Sequence, residues 1–426
     1  MKFAFFTLGC KVNLFETQAL EQLARARGHA VVTKDADAVV VNTCTVTSVS
    51  DHKNIRAFHR LRRDNPRAVI AACGCFAQTD PARVRATGEV DIVCGTADRA
   101  AVLDRCEQAV QGRAAAQADR LPLPRAYELL PAGVPDGRTR ALLKIEDGCD
   151  NFCTYCIIPY ARGRVRSLPP AQAQAECARL SAAGVQEIVL TGIEIASYGR
   201  DLQPAVSLTD LLCMLLPAHP SVRFRLGSLD PRAVDEDFCR RLSGLPNLAR
   251  HFHLSLQSGC NSVLRRMGRQ YTAEDFYGCV TRLRAAWPDA SVTTDLIVGF
   301  PGETEAEFAE TLAFVERCAF AAVHVFPYSA RRGTRAASLP GRLSQRDKAA
   351  RAAQAKAVAQ RVGEAYRRGF AGRTLDALPE HRTGGLWAAH GAYGFPIYIE
   401  GQAHKNVPVR VQVLGLHRDG VRAKII

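Results

Sequence analysis

Residues 141–156 read Ala141-Leu-Leu-Lys-Ile-Glu-Asp-Gly-Cys149-Asp-Asn-Phe-Cys153-Thr-Tyr-Cys156, with three cysteines shortly after an apolar run. The apolar run predicts a β-strand, and the cysteines lie in the loop that follows it. Three thiolates at this spacing can bind three irons of a 4Fe-4S cube and leave the fourth iron open. A structural zinc site needs a fourth Cys or His, and none follows Cys156 closely, so zinc is the less favoured alternative.

The region after residue 140 alternates predicted strands with helical patterns of apolar 3.6 periodicity. Six such units predict an open, partial (β/α)6 barrel rather than the closed barrel of eight units. Active sites of these folds lie at the carboxyl ends of the strands, where the cysteine loop also falls. The predicted strands are 141–145, 187–191, 223–227, 252–256, 292–298 and 322–326.

The cysteine loop resembles the signature of the radical S-adenosylmethionine superfamily, CxxxCxxC with an aromatic residue before the third cysteine. The resemblance implies that the open iron binds S-adenosyl-L-methionine. Backbone groups of the turn Thr191-Gly-Ile-Glu194 could bind its methionine amino group, and the Gly-rich turn after the fifth strand could hold its adenine. The residues expected to bind the cofactor are Tyr155, Gly192, Glu194, Gln257, Asp295 and Gly299.

The first hundred residues carry a second group of cysteines at the ends of predicted strands, Cys10, Cys44 and Cys75. Strands alternating with helices predict a doubly wound parallel sheet of the α/β class, and ligands bind at the carboxyl edge of such a sheet. The three cysteines are therefore expected at one edge. Cys73 and Cys94 also end strands and are rival ligands, and free cysteines at strand ends are often simply small buried residues.

The C-terminal part of the chain changes character after residue 368. Residues 345–368 are rich in Ala, Arg and Gln and predict one exposed linking helix. Short β-like runs with Gly turns follow and predict a small β-barrel of a kind that binds RNA. The predicted domains are an N-terminal cysteine domain (1–112), a linker (113–134), the barrel with its linking helix (135–368) and the C-terminal barrel (369–426).

The overall composition suits an enzyme that meets a polyanion in a reducing compartment. The net charge is +14, which favours a nucleic-acid partner, although an Arg-rich proteome gives the same excess. Fifteen cysteines are too sparse for a small disulfide scaffold and point to metal binding. No run approaches the roughly 20 apolar residues that span a bilayer, so no membrane association is expected and a cytoplasmic location is predicted.

Taken together, these parts resemble the methylthiotransferase family nearly end to end. The family's order is a cysteine domain, a radical S-adenosylmethionine barrel and an RNA-binding TRAM domain, so the C-terminal barrel is expected to be TRAM-like. The Gly-Cys-x-Ala-Gln motif selects Cys75 as the third N-terminal ligand. The motifs that carry the resemblance are Leu8-Gly-Cys10-Lys-Val-Asn13, Asn42-Thr-Cys44, Gly74-Cys75-Phe-Ala-Gln78, Ser258-Gly-Cys260, Met267-Gly-Arg-Gln-Tyr271 and Val298-Gly-Phe-Pro-Gly-Glu303.

Within the family, residues 144–163 and His324-Val-Phe-Pro-Tyr-Ser329 look like the branch that modifies N6-threonylcarbamoyladenosine (t6A) next to the tRNA anticodon. The resemblance implies two 4Fe-4S clusters, one on Cys149, Cys153 and Cys156 and one on Cys10, Cys44 and Cys75. It also implies S-adenosyl-L-methionine as cofactor, the tRNA anticodon stem-loop as partner, an electron donor such as a flavodoxin or ferredoxin, and an unidentified sulfur donor. Glu194 and Cys260 depart from residues often found in the family.

The sequence also leaves three alternative functions open and predicts one group of RNA contacts. The substrate could instead be isopentenyl-adenosine in tRNA or an aspartate of a ribosomal protein. A zinc-stabilised RNA-binding protein without catalysis is the alternative of another class. Arg162, Arg164 and Arg166, just beyond the cysteine loop, are predicted to contact phosphates, although they could equally form an exposed basic turn.

Overall fold

The computed structural model describes residues 1–113, 121–133 and 139–426. Its N-terminal part alternates strands and helices as predicted. The strands are β1 (Lys2–Thr7), β2 (Ala30–Val31), β3 (Ala38–Thr43), β4 (Val69–Gly74) and β5 (Ile92–Val93). The helices are α1 (Lys11–Ala26), α2 (Ser48–Asp64), α3 (Cys75–Thr79), α4 (Pro81–Arg85) and α5 (Ala101–Val110).

The N-terminal strands form one parallel sheet in the order β2-β1-β3-β4-β5. The central strand β3 is buried along its whole length, and its Val-rich sequence suits a strand covered on both faces. Helices α1 and α5 pack on one face, and α2, α3 and α4 pack on the other. The doubly wound sheet is therefore confirmed.

The middle region contains the six predicted strands, and each boundary lies within about a residue of its prediction. The strands, with three short additions, are β6 (Arg140–Lys144), β7 (Glu146–Asp147), β8 (Arg166–Ser167), β9 (Glu187–Thr191), β10 (Arg223–Leu226), β11 (Ser228–Leu229), β12 (His251–Gln257), β13 (Ser291–Val298) and β14 (Ala322–Pro327). The helices are α6 (Ile158–Arg162), α7 (Pro170–Ala182), α8 (Leu208–Ala218), α9 (Glu236–Leu242), α10 (Asn261–Met267), α11 (Ala273–Ala286), α12 (Glu305–Cys318) and α13 (Gln345–Arg368).

These strands form an open arc of two parallel sheets, β6-β9-β10 and β11-β12-β13-β14. The two sheets share one hydrophobic core with the outer helices. The predicted exposed linking helix is only partly correct. Helix α13 begins and ends where predicted, but Ala352, Ala355, Val358 and Val362 on one of its faces are buried in this core. It is therefore the sixth outer helix of the partial barrel.

The C-terminal part is a closed five-stranded barrel, as predicted. Its strands are β15 (Thr374–Thr383), β16 (Leu386–His390), β17 (Pro396–Glu400), β18 (Val409–His417) and β19 (Gly420–Ile425), and they close in the order β15-β16-β17-β19-β18. Asp289 of the middle region holds this barrel, since its carboxylate accepts hydrogen bonds of 2.6 Å from both the Tyr393 hydroxyl and Arg373.

The predicted linker, residues 113–134, lies partly outside the described residues, at 114–120 and 134. Its described part packs on both neighbouring regions. Leu130 and Ala132 are buried in the barrel core, and the Gln78 side-chain amide donates to the Leu121 carbonyl over 2.8 Å. Within the described ranges, no helix has the length and apolar character needed to cross a membrane.

Candidate active site between the N-terminal sheet and the barrel

The barrel cysteines lie in the loop between β7 and α6. Cys149 and Cys153 are buried and Cys156 is half-buried. The loop turns through a left-handed residue, Phe152 (φ 47°), and the Cys156 amide donates to the Cys153 carbonyl over 2.9 Å. Thr154 fixes the loop to the end of α10, because its amide donates to the Met267 carbonyl over 2.9 Å. The backbone therefore holds the three thiols within one short turn.

The environment of these thiols fits an iron-sulfur cluster. Burial raises the pKa of Cys149 well above its usual range and raises that of Cys156 to about 12. Arg269 donates from Nη1 to the Cys153 sulfur over 3.3 Å, and the Asn151 amide donates to the Cys149 sulfur over 3.5 Å. Buried soft donors of this kind become thiolates when a metal supplies the positive charge, and such hydrogen bonds tune a cluster.

The structure brings Cys10, Cys44 and Cys75 together at the carboxyl edge of the N-terminal sheet. Cys10 precedes α1, Cys44 follows β3 and Cys75 begins α3. Burial raises the pKa of Cys75 to about 12, and the nearby Cys10 and Cys44 add to the increase. A side chain at Gly9 (φ 116°) would place its Cβ 2.7 Å from the Cys44 Cβ, so this approach requires glycine.

The rival cysteines Cys73 and Cys94 lie elsewhere. Both belong with Cys106 to the apolar core between the sheet and helices α1 and α5. Burial raises the pKa of Cys73 above its usual range, and Cys94 adds to it. Arg105 donates to the Cys94 sulfur over 3.3 Å. These thiols are therefore packed in a separate group and do not face the three at the sheet edge.

The phosphate contact predicted for Arg162 is wrong. Its side chain is 0% exposed and bridges the two cysteine groups. Nε donates to the Cys75 sulfur over 3.2 Å, Nη1 donates to Glu16 over 2.8 Å and to Asp147 over 2.9 Å, and Nη2 donates to Asn13 over 2.7 Å. Arg162 therefore ties the loop that carries the barrel cysteines to the N-terminal sheet, where RNA cannot reach it.

The phosphate contact predicted for Arg166 is also wrong, because Arg166 belongs to the same buried charge network. Arg166 is buried beside Asp147 and donates to the Arg162 carbonyl over 2.9 Å. Burial alone would raise the pKa of Glu16, but Arg162, Arg99 and Lys144 outweigh that effect and hold it at about 2. Arg164 is 75% exposed and remains a candidate phosphate contact.

A cavity of about 200 Å³ lies between Cys156 of the barrel loop and the segment that follows strand β3. Cys156 and three predicted cofactor residues, Tyr155, Gln257 and Asp295, line it. Val46 and Thr47, just beyond Cys44, also line it. The cavity therefore extends from one barrel cysteine to the segment that follows one N-terminal cysteine.

The other three predicted cofactor residues lie outside the lining of that cavity. Glu194 is buried, and burial, with Asp230 adding, raises its pKa to about 7. Gly192 packs against Glu146, since a Cβ there would lie 2.6 Å from the Glu146 carboxylate. Gly299 packs against the Lys348 side chain of α13. Their part in binding the cofactor stays a prediction.

Sequence reasoning missed a polar layer inside the barrel. His253 Nε2 lies 3.4 Å from the Asp295 carboxylate, and the His324 ring is 5.8 Å from the His253 ring, centre to centre. Burial lowers the pKa of His324, and the neighbouring His253 and Lys11 lower it further against the opposing effect of Asp295. The alternation of polar residues along β12 is the signal that could have shown this layer, because alternate residues of a strand share a face.

Two family models match the chain. The radical SAM superfamily matches residues 143–315, and a family described as uncharacterized protein family UPF0004 matches residues 2–95. Among solved structures, the radical S-adenosylmethionine methyltransferase TsrM from Kitasatospora setae has a TM-score of 0.57 at 17% identity, covering 76% of this chain and 72% of that one. This likeness shows the fold alone.

Curated relatives match most of the chain. A threonylcarbamoyladenosine tRNA methylthiotransferase, MtaB, from Bacillus subtilis is 40% identical, covering 88% of this chain and 84% of the relative. The MtaB of Thermotoga maritima is 37% identical, covering 88% of this chain and 85% of the relative. A tRNA-2-methylthio-N(6)-dimethylallyladenosine synthase from Frankia alni is also 37% identical, covering 87% of this chain and 76% of the relative. With its radical SAM domain and cysteine loop, the chain belongs to the radical S-adenosylmethionine family of tRNA methylthiotransferases, which use S-adenosylmethionine and 4Fe-4S clusters.

Proposed function

We propose that this protein adds a methylthio group to carbon 2 of t6A next to the anticodon of tRNA. The observation that carries the proposal is the closeness of the two three-cysteine groups: Cys75 contributes to the raised pKa of Cys156, and Arg162, just beyond the barrel cysteine loop, donates to the Cys75 sulfur over 3.2 Å. Carbon 2 of adenine has neither an acidic proton nor a leaving group, so a polar substitution there is difficult. The relatives named as t6A enzymes support this base over dimethylallyladenosine.

Cys149, Cys153 and Cys156 would hold the cluster that binds S-adenosylmethionine, and Cys10, Cys44 and Cys75 would hold the second cluster. When bound, the first cluster and S-adenosylmethionine would supply a carbon-centred radical, and the second cluster would supply the sulfur that is transferred. The protein's own residues position the reaction. Arg269 holds the Cys153 sulfur, and Arg162 fixes the two ligand loops against each other. The target base leaves the anticodon-loop stack at a cost of a few kcal/mol to enter the cavity.

The remaining partners follow from this chemistry. The C-terminal barrel would act as a TRAM-like RNA-binding module, because it stands beside the barrel that takes the flipped base. The exposed Arg164 would contact a loop phosphate. One-electron reduction needs a donor such as a flavodoxin or ferredoxin, and the sulfur donor is unassigned. A cytoplasmic location is part of the proposal, because the enzyme would act on tRNA.

The test is an anaerobic assay with synthetic anticodon stem-loops. We expect about eight irons and eight sulfides per chain, as two cubic clusters require. A loop that carries t6A should gain the mass of a methylthio group, and a loop that carries isopentenyl-adenosine should not. Modification of the isopentenyl loop would assign the chain to the other tRNA branch. A colourless, zinc-containing protein without sulfide would support the non-catalytic alternative.

A further inference from the structure

A second cavity, of about 360 Å³, lies where the three regions of the molecule meet. Helix α1 contributes Lys11 and Gln18 to its wall, strand β10 contributes Arg225, and the C-terminal barrel contributes Glu380 and Lys405. The cysteine sites and the polar layer already described do not account for these groups. The charge balance of the cavity indicates what it would bind.

The two arginines at this cavity already have carboxylate partners. Arg225 Nε lies 2.7 Å from Glu187, and Arg225 Nη2 donates to the Gly391 carbonyl over 2.7 Å. Arg140 Nε lies 3.0 Å from Glu380. Both guanidinium groups are therefore already paired, and they join the barrel strands to the C-terminal barrel.

Lys11 differs from the arginines. Within the described ranges no carboxylate lies at ion-pair distance from its ammonium group, although the side chain faces the cavity. Gln18, two turns further along the same face of α1, has a buried side-chain oxygen for which no described group acts as donor. A buried acceptor without a donor is costly, so the pair offers one cation and one acceptor to a ligand.

Lys11, at one end of this pair, lies close to the proposed reaction site. Lys11 follows the predicted cluster ligand Cys10 directly. Its charge also reaches His324 of the polar layer, in which Asp295 lines the cavity at Cys156. A base whose carbon 2 meets the cysteine sites could therefore extend its N6 substituent towards Lys11.

We infer that Lys11 and Gln18 bind the anionic N6 substituent of the substrate nucleoside. The inference rests on the proposed function. The Lys11 ammonium donates to the carboxylate of the threonylcarbamoyl group, and the Gln18 oxygen accepts from its hydroxyl or N–H. A phosphate of the loop shares the oxyanion chemistry. However, a phosphodiester has no proton to donate to Gln18 at neutral pH, so the carboxylate is the better match.

The test compares the binding of two anticodon stem-loops, one with t6A and one with unmodified adenosine, to the holoenzyme. We expect the wild type to prefer the t6A loop. Lys11→Met should weaken binding of the t6A loop about tenfold, as loss of a charged hydrogen bond predicts, and leave the unmodified loop nearly unchanged. Lys11→Arg should retain the preference. Lys356→Met removes the same charge from the exposed side of α13 and should leave the preference unchanged.

Gln18→Glu is the second variant, because it places a repelling carboxylate in the cavity, eight positions from Cys10. If Lys11→Met loses iron or no longer forms 5′-deoxyadenosine, the binding of the two loops is compared in Gln18→Glu instead, which should also weaken binding of the t6A loop. Equal weakening of both loops would show that the anion is a phosphate and would overturn the assignment to the substituent. An unchanged preference in both variants would also overturn it. A wild type that shows no preference and makes no methylthio product would instead contradict the proposed function.

Discussion

The fold brings the two three-cysteine groups together by different routes. The barrel thiols come from eight consecutive residues, 149–156, and one turn of backbone holds them. The N-terminal thiols come from three loops about thirty positions apart, and only the parallel sheet brings them together. A local motif therefore needs little of the fold to exist, whereas the distributed site depends on the register of the sheet and on close packing at Gly9.

Cys153→Ala is expected to have the largest effect, because it removes a ligand of the cluster that would bind S-adenosylmethionine. The variant should form no 5′-deoxyadenosine and no methylthiolated product. Chromatography of the cofactor products under reducing, anaerobic conditions measures this directly. Full cofactor cleavage would remove the barrel group from the reaction.

Cys44→Ala separates the two sites. This variant should still cleave S-adenosylmethionine, since the barrel loop is intact, but it should transfer no methylthio group. Mass spectrometry of the digested t6A stem-loop, alongside the 5′-deoxyadenosine assay, gives both readouts. Normal product would make the N-terminal cysteines structural.

Arg162→Leu tests the tie between the two sites. Removing the guanidinium leaves Glu16 and Asp147 buried without this partner, and breaking such a buried pair costs about 3–5 kcal/mol of unfolding free energy. The matched control is Arg164→Leu, whose exposed pair with Asp150 contributes less than about 1 kcal/mol. Urea unfolding of both variants measures the difference, and similar midpoints would contradict the bridging role of Arg162.

The ionisation of Glu16 makes the stability of the folded protein depend on pH. Its pKa is about 2 in the folded protein against an ordinary value of 4.5. Because the folded pKa is depressed, its stabilisation is complete above about pH 4.5 and is lost as the pH falls towards 2. The difference in urea midpoint between wild type and Glu16→Gln should therefore shrink below pH 4.5. A constant difference would show that the carboxylate's ionisation does not stabilise the fold.

Cys73→Ala is expected to have the smallest effect and sharpens the choice of ligands. Its thiol packs in the apolar core, so the variant should lose about 1 kcal/mol of stability and keep all its iron. Cys75→Ala should lose the iron of one cluster. Iron and sulfide analysis of both variants decides between the two neighbours, and iron loss in Cys73→Ala would reopen the assignment.

Much of the fold could be predicted from the sequence because its signals are local. Apolar periodicity placed the six barrel strands, and turn residues marked the C-terminal barrel. The buried cations could not be predicted in this way. Arg162 meets Glu16 across 146 positions, so no local pattern distinguishes it from the exposed Arg164. Lys11 and the barrel histidines were missed because the residues around them come from distant parts of the chain, which meet only in the folded protein.

The charge network around Arg162 and Glu16 limits how this protein can be divided into separate units. Sequence motifs divide the chain into separate units, yet the carboxylate of Glu16 is contacted by Arg99 from the N-terminal unit and by Lys144 and Arg162 from the barrel. Cut at the motif boundary, the first unit would retain Arg99 and lose the other two cations that contact Glu16. Joining either unit to an unrelated partner would therefore require a partner that supplies the matching charges across the junction.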